Sequence, residues 1–488
     1  MSRVYKPQAE QFKEWSKVHK TRKYTLKEKD ELDLVMRNRL LREMNRLHEM
    51  NIKEYMLTHK FDEVNNFYKT ADVKEIERLR KLIWKPSGRS DFRRIEPELI
   101  LCTDQIQIRQ KDFFDQERFV DHKCEEPYTY HWQIMRTLIS SNPNDGALGR
   151  QLRYLVIDKV TRKYLGLMMV GSALMNLSER NKVLFGVKED GNWTEETSKL
   201  RQQCFSKIGR SIHMASGHCL VATQPFGRMF NGGKLISLLA MSKKVQDDWK
   251  RRYGDTLVTV DTTSLYGAKD KATQYSGLKP YWIHLGNSSG NTPLKPREET
   301  YRRLRRWYRL RFPFEYFQIM SEINTKLQPV VREAKNLLIK KCFSWFGINQ
   351  THTTKTGHQR GVYLSTLYEN ADLFLQGKID EKDLIPAFDN STETLIEFWR
   401  FGYKQDTLKD ELHPEIKKEF DKLKKNYNSK QRSYERQLSA KSRIAQMVRQ
   451  GYKYIPLIDD WYGDMRGKKW KEIEENYQHM IGKRHDNK

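Results

Sequence analysis

Cysteine is scarce in this chain. The five present (Cys102, Cys124, Cys204, Cys219 and Cys342) are an odd number, scattered, and never spaced C-x-x-C. That excludes a disulfide framework and a cysteine-built zinc site, and fits a reducing, cytoplasmic setting. Long apolar runs are missing too. Tyr164–Leu177, the longest mainly apolar stretch, falls short of the roughly 20 residues a spanning helix needs. Gly166, Gly171 and Asn176 interrupt it, so no membrane partner is expected. The N-terminus has no apolar core of a secretory signal, so none is expected. Neither G-x-x-x-x-G-K-[ST] nor G-x-G-x-x-G occurs, which argues against P-loop hydrolases and dinucleotide dehydrogenases. No internal repeat or low-complexity tract is present. Acidic residues are in the minority, 63 Asp+Glu against 90 Lys+Arg, giving a net charge of +27 and a pI near 9.6. A chain so basic needs a polyanionic partner, and nucleic acid, double-stranded DNA first, is the expectation.

What is present suffices for a packed core: 38% of the 488 residues are hydrophobic and 11% aromatic, so wholesale disorder is excluded. Four regions are expected. Residues 1–95 read as basic helix. Thr25-Leu-Lys-Glu28 has the form of a capping box, and Met36, Leu40, Met44 and Leu47 recur at helical spacing among Arg37, Arg39, Arg42 and Arg46. Those arginines suit either phosphate or a solvated face. Lys85-Pro-Ser-Gly-Arg89 is a turn and marks the first boundary. Residues 96–300 change period and form an α/β core, residues 301–375 add arginine-rich helices and a closing strand, and 376–488 read as basic helix, with a long helix from His413 into the 440s. The fold class expected is α+β.

Within the core, Arg153–Asp158 and Lys163–Gly171 predict a β-hairpin, and Gly217–Thr223 a third strand. A loop, Gln224–Gly233, leads into one helix from Lys234 to about Tyr253, ended by Gly254. Thr256–Val260 is a strand reaching Asp261-Thr-Thr-Ser264. A short helical stretch with Ala272, Tyr275 and Leu278 precedes a strand at Tyr281–Leu285, and Gly361–Ser365 is the last strand. The junction Asn231-Gly232-Gly233-Lys234 offers free backbone N–H groups, room for close approach and a positive charge, with Arg228 just before it. Such a junction suits a pyrophosphate; a tight turn needs the same glycines. His213 and His218, the latter next to Cys219, lack helical i, i+4 spacing and a placed carboxylate, so no metal site is expected.

This order of elements resembles the GNAT acyltransferase fold, a mixed central sheet flanked by helices, which implies acyl-coenzyme A at the loop-to-helix junction. The loop itself, Arg228-Met-Phe-Asn-Gly-Gly233, departs from the usual Q/R-x-x-G-x-G/A signature of that fold. More specifically, Arg150–Asp158, Tyr164-Leu-Gly-Leu, Asn176-Leu-Ser-Glu-Arg180, Gly232–Leu239, Asp248–Gly254 and His358–Tyr363 resemble the DruA family of the Druantia anti-phage system. Asp261-Thr-Thr through Tyr275-Ser-Gly-Leu-Lys279 is similar to the Mom proteins of phages, GNAT-related modifiers of adenine in DNA. Together these resemblances cover about 147–375 and imply a transferase acting on a DNA base. In that reading the cleft opens where the strands at 217–223 and 256–260 part. Asp261, Thr262 and Thr263 would face it, Asp261 as base or orienting group, with Tyr266 or Tyr275 as proton donor or stacking ring. Asp261-Thr-Thr-Ser is equally a good turn sequence, and the tyrosines equally good core residues.

For holding DNA, Tyr301–Phe312 places six arginines in ten positions beside four aromatics. On a helix Arg302, Arg305, Arg306 and Arg309 share a face, and Trp307 either stacks on a base or packs inward. His358 and Arg360, in a Gly/Thr-rich loop before a strand, complete the candidate nucleic-acid contacts. The alternative to catalysis is a non-catalytic DNA-binding component of a defence, counter-defence or mobile-element system.

Overall fold

Gln151–Asp158 and Tyr164–Ser172 are almost continuously buried, the pattern of strands covered on both faces. A computed structural model describes residues 8–18, 24–85, 94–102, 106–111, 117–122, 128–140, 142–143, 149–187, 192–206, 208–224, 226–265, 273–321 and 328–401. In chain order the helices are α1 (Gln8–Val18), α2 (Leu26–Glu49), α3 (Ile52–Tyr68), α4 (Val73–Leu82), α5 (Tyr128–Ile139), α6 (Ser178–Phe185), α7 (Glu195–Cys204), α8 (Phe226–Met229), α9 (Gly232–Leu239), α10 (Lys243–Tyr253), α11 (Glu298–Arg311), α12 (Pro313–Ser321), α13 (Gln328–Trp345), α14 (Gln350–Thr353), α15 (Ala371–Leu375) and α16 (Thr392–Phe401). The strands are β1 (Pro97–Leu101), β2 (Ile106–Lys111), β3 (Glu117–His122), β4 (Gln151–Asp158), β5 (Tyr164–Ser172), β6 (Met214–Ala222), β7 (Thr259–Ser264), β8 (Ile283–Asn287), β9 (Thr292–Pro293), β10 (Thr354–Lys355) and β11 (Gly361–Thr366).

Among the described residues, two compact units form. One draws on 1–63, 142–148 and 290–358, the other on 64–141, 149–289 and 359–488. The first is helical. Both halves of the Thr25/Glu28 capping box are made, and Met36, Leu40, Met44 and Leu47 of α2 are buried with Leu304, Trp307, Leu338 and Cys342. The second contains a seven-stranded sheet in the order β1-β4-β5-β6-β7-β11-β8. Every neighbouring pair is antiparallel except β6 and β7, which run parallel. The chain is therefore α+β, as expected. Helices α9, α10 and α16 contribute to the core on one face of the sheet, and α6 and α15 to the core on the other.

Several boundaries differ from the sequence reading, each for a tertiary reason. The single helix expected over 234–253 is two. Asn390 breaks it: its side-chain N–H donates to the Met241 carbonyl at 2.8 Å, while its own carbonyl takes the Lys243 N–H at 2.8 Å. The strand expected at 256–260 begins at Thr259. The Thr256 carbonyl is bound to His213 at 2.7 Å and the Leu257 carbonyl to Gln246 at 3.0 Å, so neither is free for a ladder. Strand 281–285 likewise starts at Ile283, because Tyr281 and the Trp282 indole turn into the core, the indole donating to the Ser237 carbonyl at 2.9 Å. Residues 273–280 are turns rather than the expected helix, and α8 and the strands β1 to β3 are additional. Tyr266, the side chain of Arg228, residues 86–89 of the boundary turn and the helix expected from His413 lie outside the described residues.

Cys102, Cys204, Cys219 and Cys342 are all buried, and burial pushes the Cys204 and Cys342 thiols up to about 12. Thiolate is the reactive form, so at pH 8 these sites are protonated and enclosed. Peptide mapping after brief alkylation of the native protein should find those four unlabelled, and urea should expose them. Labelling of Cys204 or Cys342 in the native protein at the rate of a free thiol would contradict this packing.

Candidate functional site

Strand β7 puts Asp261 and Thr262 on opposite faces of the sheet, because side chains alternate along a strand. The sequence reading had Asp261, Thr262 and Thr263 facing one cleft at a strand end; they lie inside a strand, and no three consecutive strand residues can share a face. Asp261 points to the α6 side. Its Oδ2 accepts from Arg180 Nη1 at 2.6 Å and its Oδ1 from the Ser216 hydroxyl at 2.5 Å. Both members of the ion pair are closed off from water, with side chains 0% and 1% exposed. The rest of the guanidinium is engaged as well: Nε and Nη2 donate to Asn181 Oδ1 at 3.0 and 2.7 Å, and Nη2 to the Leu174 carbonyl at 2.5 Å. Asn181 passes the connection on, donating to the Met175 carbonyl at 3.0 Å, and the Phe205 ring lies 5.4 Å under the guanidinium. A buried charge is tolerated only when paired and hydrogen-bonded in this way. Arg180, Asn181 and Ser216 were not singled out as site residues in the sequence. Arg180 appeared there only as the end of a resemblance motif, since a mid-helix arginine ordinarily signals a solvated face.

On the other face, β6 and β7 pair over Met214–Ser216 and Thr259–Asp261 and then diverge. The parting is filled by the chain itself. The Thr262 hydroxyl donates to the Gly217 carbonyl at 2.9 Å, and Gln274 donates to the Leu220 carbonyl and to the Tyr275 hydroxyl, each at 3.0 Å. Thr262 Oγ1 and the Tyr275 hydroxyl lie 3.4 Å apart, and the Tyr275 ring packs on Tyr363 at 4.8 Å and Trp282 at 5.4 Å. Burial raises the Tyr275 hydroxyl above its ordinary pKa, so it stays protonated.

The strand-to-helix junction does not fit a pyrophosphate. Asn231 is left-handed with φ 52°, but a Cβ on Gly232 would overlap the Phe226 ring, and one on Gly233 would sit 3.0 Å from Gln274 Oε1. Lys234 donates its ammonium to the Ser276 carbonyl. Both glycines and the lysine are thus committed to packing within the chain rather than to coenzyme A. His213 and His218 hydrogen-bond to the backbone carbonyls of Thr256 and Ser172, at 2.7 and 3.1 Å.

The arginine-rich run is helix α11 of the helical unit. Thr300, Tyr301, Leu304, Trp307 and Tyr308 form its buried side. Arg302, Arg305, Arg306 and Arg309 recur at i, i+3, i+4 and i+7 on the opposite side. Arg302 pairs with Glu298 at 3.5 Å, and Arg305 donates to the Tyr316 hydroxyl at 2.7 Å. Arg306 and Arg309 have no hydrogen-bond or ion-pair partner among the described residues. Trp307 lies in the core, 5% exposed, its indole donating to Asp33 at 2.8 Å, away from the exposed side that carries Arg302, Arg305 and Arg306. His358, in the helical unit, meets the Thr292 hydroxyl at 2.6 Å. Arg360, in the sheet unit, precedes β11; burial lowers its pKa, and its guanidinium has no partner among the described residues.

Replacing Asp261 by Asn removes the charge opposite a fully buried guanidinium. The expected loss is about 3–5 kcal/mol in urea unfolding, with Ser216→Ala costing about 1–2 kcal/mol. An Asp261→Asn protein as stable as the parent would show that the pair does not hold this face.

A family model described as Druantia protein DruA matches residues 118–377. The Druantia protein DruA of Escherichia coli (strain UMEA 4076-1) is 26% identical over 277 residues, which is 51% of this chain and 59% of that relative. The match thus spans less than two thirds of the relative's length, and no solved structure matches the chain. Running from within β3 past the last strand of the sheet, the family match takes in more than half of the sequence, and the protein belongs to the DruA family.

Proposed function

We propose that the chain is a DNA-binding component of anti-phage defence, gripping the sugar–phosphate backbone through the arginine face of α11. The observation that carries this reading is the pair Arg306 and Arg309. They stand on a well-packed helix with no acidic partner among the described residues, in a chain of net charge +27. A guanidinium without a carboxylate is available to a phosphate, and its fork geometry suits phosphate oxygens. Arg360 adds a third unpaired guanidinium, on the sheet unit. Membership of the DruA family supplies the defence setting. Phosphate contacts of this kind position a protein on DNA without reading its sequence.

Transfer of a group to a DNA base is the second reading. It rests on the divergence of β6 from β7 and on the Thr262–Gln274–Tyr275 cluster beside it. Asp261 would be a poor general base, since both its oxygens are taken and water has no access to it. We therefore place binding ahead of catalysis.

Binding by phosphate contacts releases counterions, so the logarithm of the association constant should fall linearly with the logarithm of salt concentration. Arg306→Ala with Arg309→Ala should flatten that slope by about 2, roughly 1 per lost contact, at unchanged thermal stability. An unaltered slope would remove α11 as the binding face. Plasmid DNA from cells expressing the protein should yield only ordinary nucleosides on mass analysis. A new nucleoside that disappears with Tyr275→Phe would reverse the order of the two readings.

A further inference from the structure

Asp33 of α2 holds two indoles at once, yet the two are treated differently. Trp307 donates to Oδ1 at 2.8 Å and is 5% exposed, whereas Trp345 donates to Oδ2 at 3.1 Å and is 48% exposed. Trp345 is not loose. Phe312 meets it edge-on with centroids 4.7 Å apart at 77°, and the Arg311 guanidinium sits over the ring at 5.5 Å. A large apolar ring kept half in water while three neighbours hold its polar edge and its ring in place is pre-organised for a flat partner.

The surroundings say which kind. On the exposed side of α13, Lys340 and Lys341 precede Trp345 by about one turn, Lys341 shared with Glu315 at 3.1 Å. Arg37 joins them, its Nε donating to the Phe346 carbonyl at 3.1 Å. The Asp33 carboxylate is already bound by both indoles and lies 3.4 Å from Arg311, so it does not oppose an anion as a bare charge would. A half-exposed indole flanked by cations fits a base with a phosphate on either side, the combination that single-strand binders use.

Resting on the nucleic-acid reading above, we infer that Trp345 is a stacking platform for an unpaired nucleobase, so the protein favours DNA with a single-stranded segment or an extruded base. A base inside a duplex has both faces covered and cannot reach the indole. The ring identified here is not the one expected from the sequence, where Trp307 was the candidate.

Binding of a fluorescent single strand and of its duplex, measured at one salt concentration, tests this. Trp345→Leu keeps apolar bulk but cannot stack, and should weaken single-strand binding about tenfold, within the range of one lost base–aromatic contact, while changing duplex binding less than about twofold. Trp345→Phe should retain most of the affinity. In the unaltered protein, ultraviolet cross-linking to a 5-bromodeoxyuridine-containing single strand should map to Trp345, a readout independent of how well any variant folds. Parental affinity in Trp345→Leu, equal losses on both DNA forms, or a cross-link confined to other residues would overturn the platform while leaving the α11 reading intact. No binding of either form by the parent protein would overturn both.

Discussion

A single buried ion pair sets what the sheet unit can do. Arg180 and Asp261 lie beyond the reach of water, and their mutual attraction offsets the desolvation of two charges only because each guanidinium nitrogen and each carboxylate oxygen has a hydrogen-bond partner. The arrangement links four pieces of chain: α6, β7, β6 through Ser216, and the segment after β5 through the carbonyls of Leu174 and Met175. Satisfying one carboxylate so completely fixes the end of the parallel β6–β7 pairing, where Ser216 faces Asp261. Beyond it the strands part, and Thr262 and Gln274 donate to the β6 carbonyls of Gly217 and Leu220, with the Tyr275 hydroxyl bound to Gln274. The same saturation makes Asp261 an anchor rather than an acid–base group.

Elsewhere the arginines divide into matched and unmatched. In the helical unit, Arg297 is bidentate to Asp62 at 3.0 and 2.7 Å and Arg39 pairs with Glu299 at 3.0 Å, so these guanidiniums are matched internally. Arg306 and Arg309 are not. Since unmatched like charges on one helix repel and lower stability, their grouping is most simply explained by an anion brought from outside. Matched arginines hold the fold; on the reading proposed here for α11, the unmatched ones are left for a ligand.

Much of this architecture could be read from residue spacing alone. The capping box of α2, its Met36/Leu40/Met44/Leu47 stripe, the β4–β5 hairpin and β11 all depend on local periodicity, and local periodicity is what a sequence displays. The misjudged boundaries depend on distant partners instead. Asn390 splits α9 from α10 from about 150 residues away, and the carbonyls of Thr256 and Leu257 are taken by His213 and Gln246. The site suffered in the same way. Asp261 was visible as a carboxylate near a strand end, but its partner Arg180 sits 81 residues earlier on a helix that reads as polar. The contrast between Trp307 and Trp345 is likewise set by tertiary packing: the arginine-rich run drew attention to the buried indole, while the exposed one ends a different helix.

In the reading proposed above, this protein meets DNA through its helical unit, and the strand-to-helix junction at 231–234 is packing. Hydrogen exchange followed by mass spectrometry, with and without DNA, distinguishes the two surfaces in one experiment. Slower exchange on binding in peptides covering α11 and the end of α13, with 226–239 and 273–282 unchanged, is the predicted result. Protection concentrated at 231–234 and 273–276, with α11 and α13 unaffected, would contradict it and return the ligand to the junction.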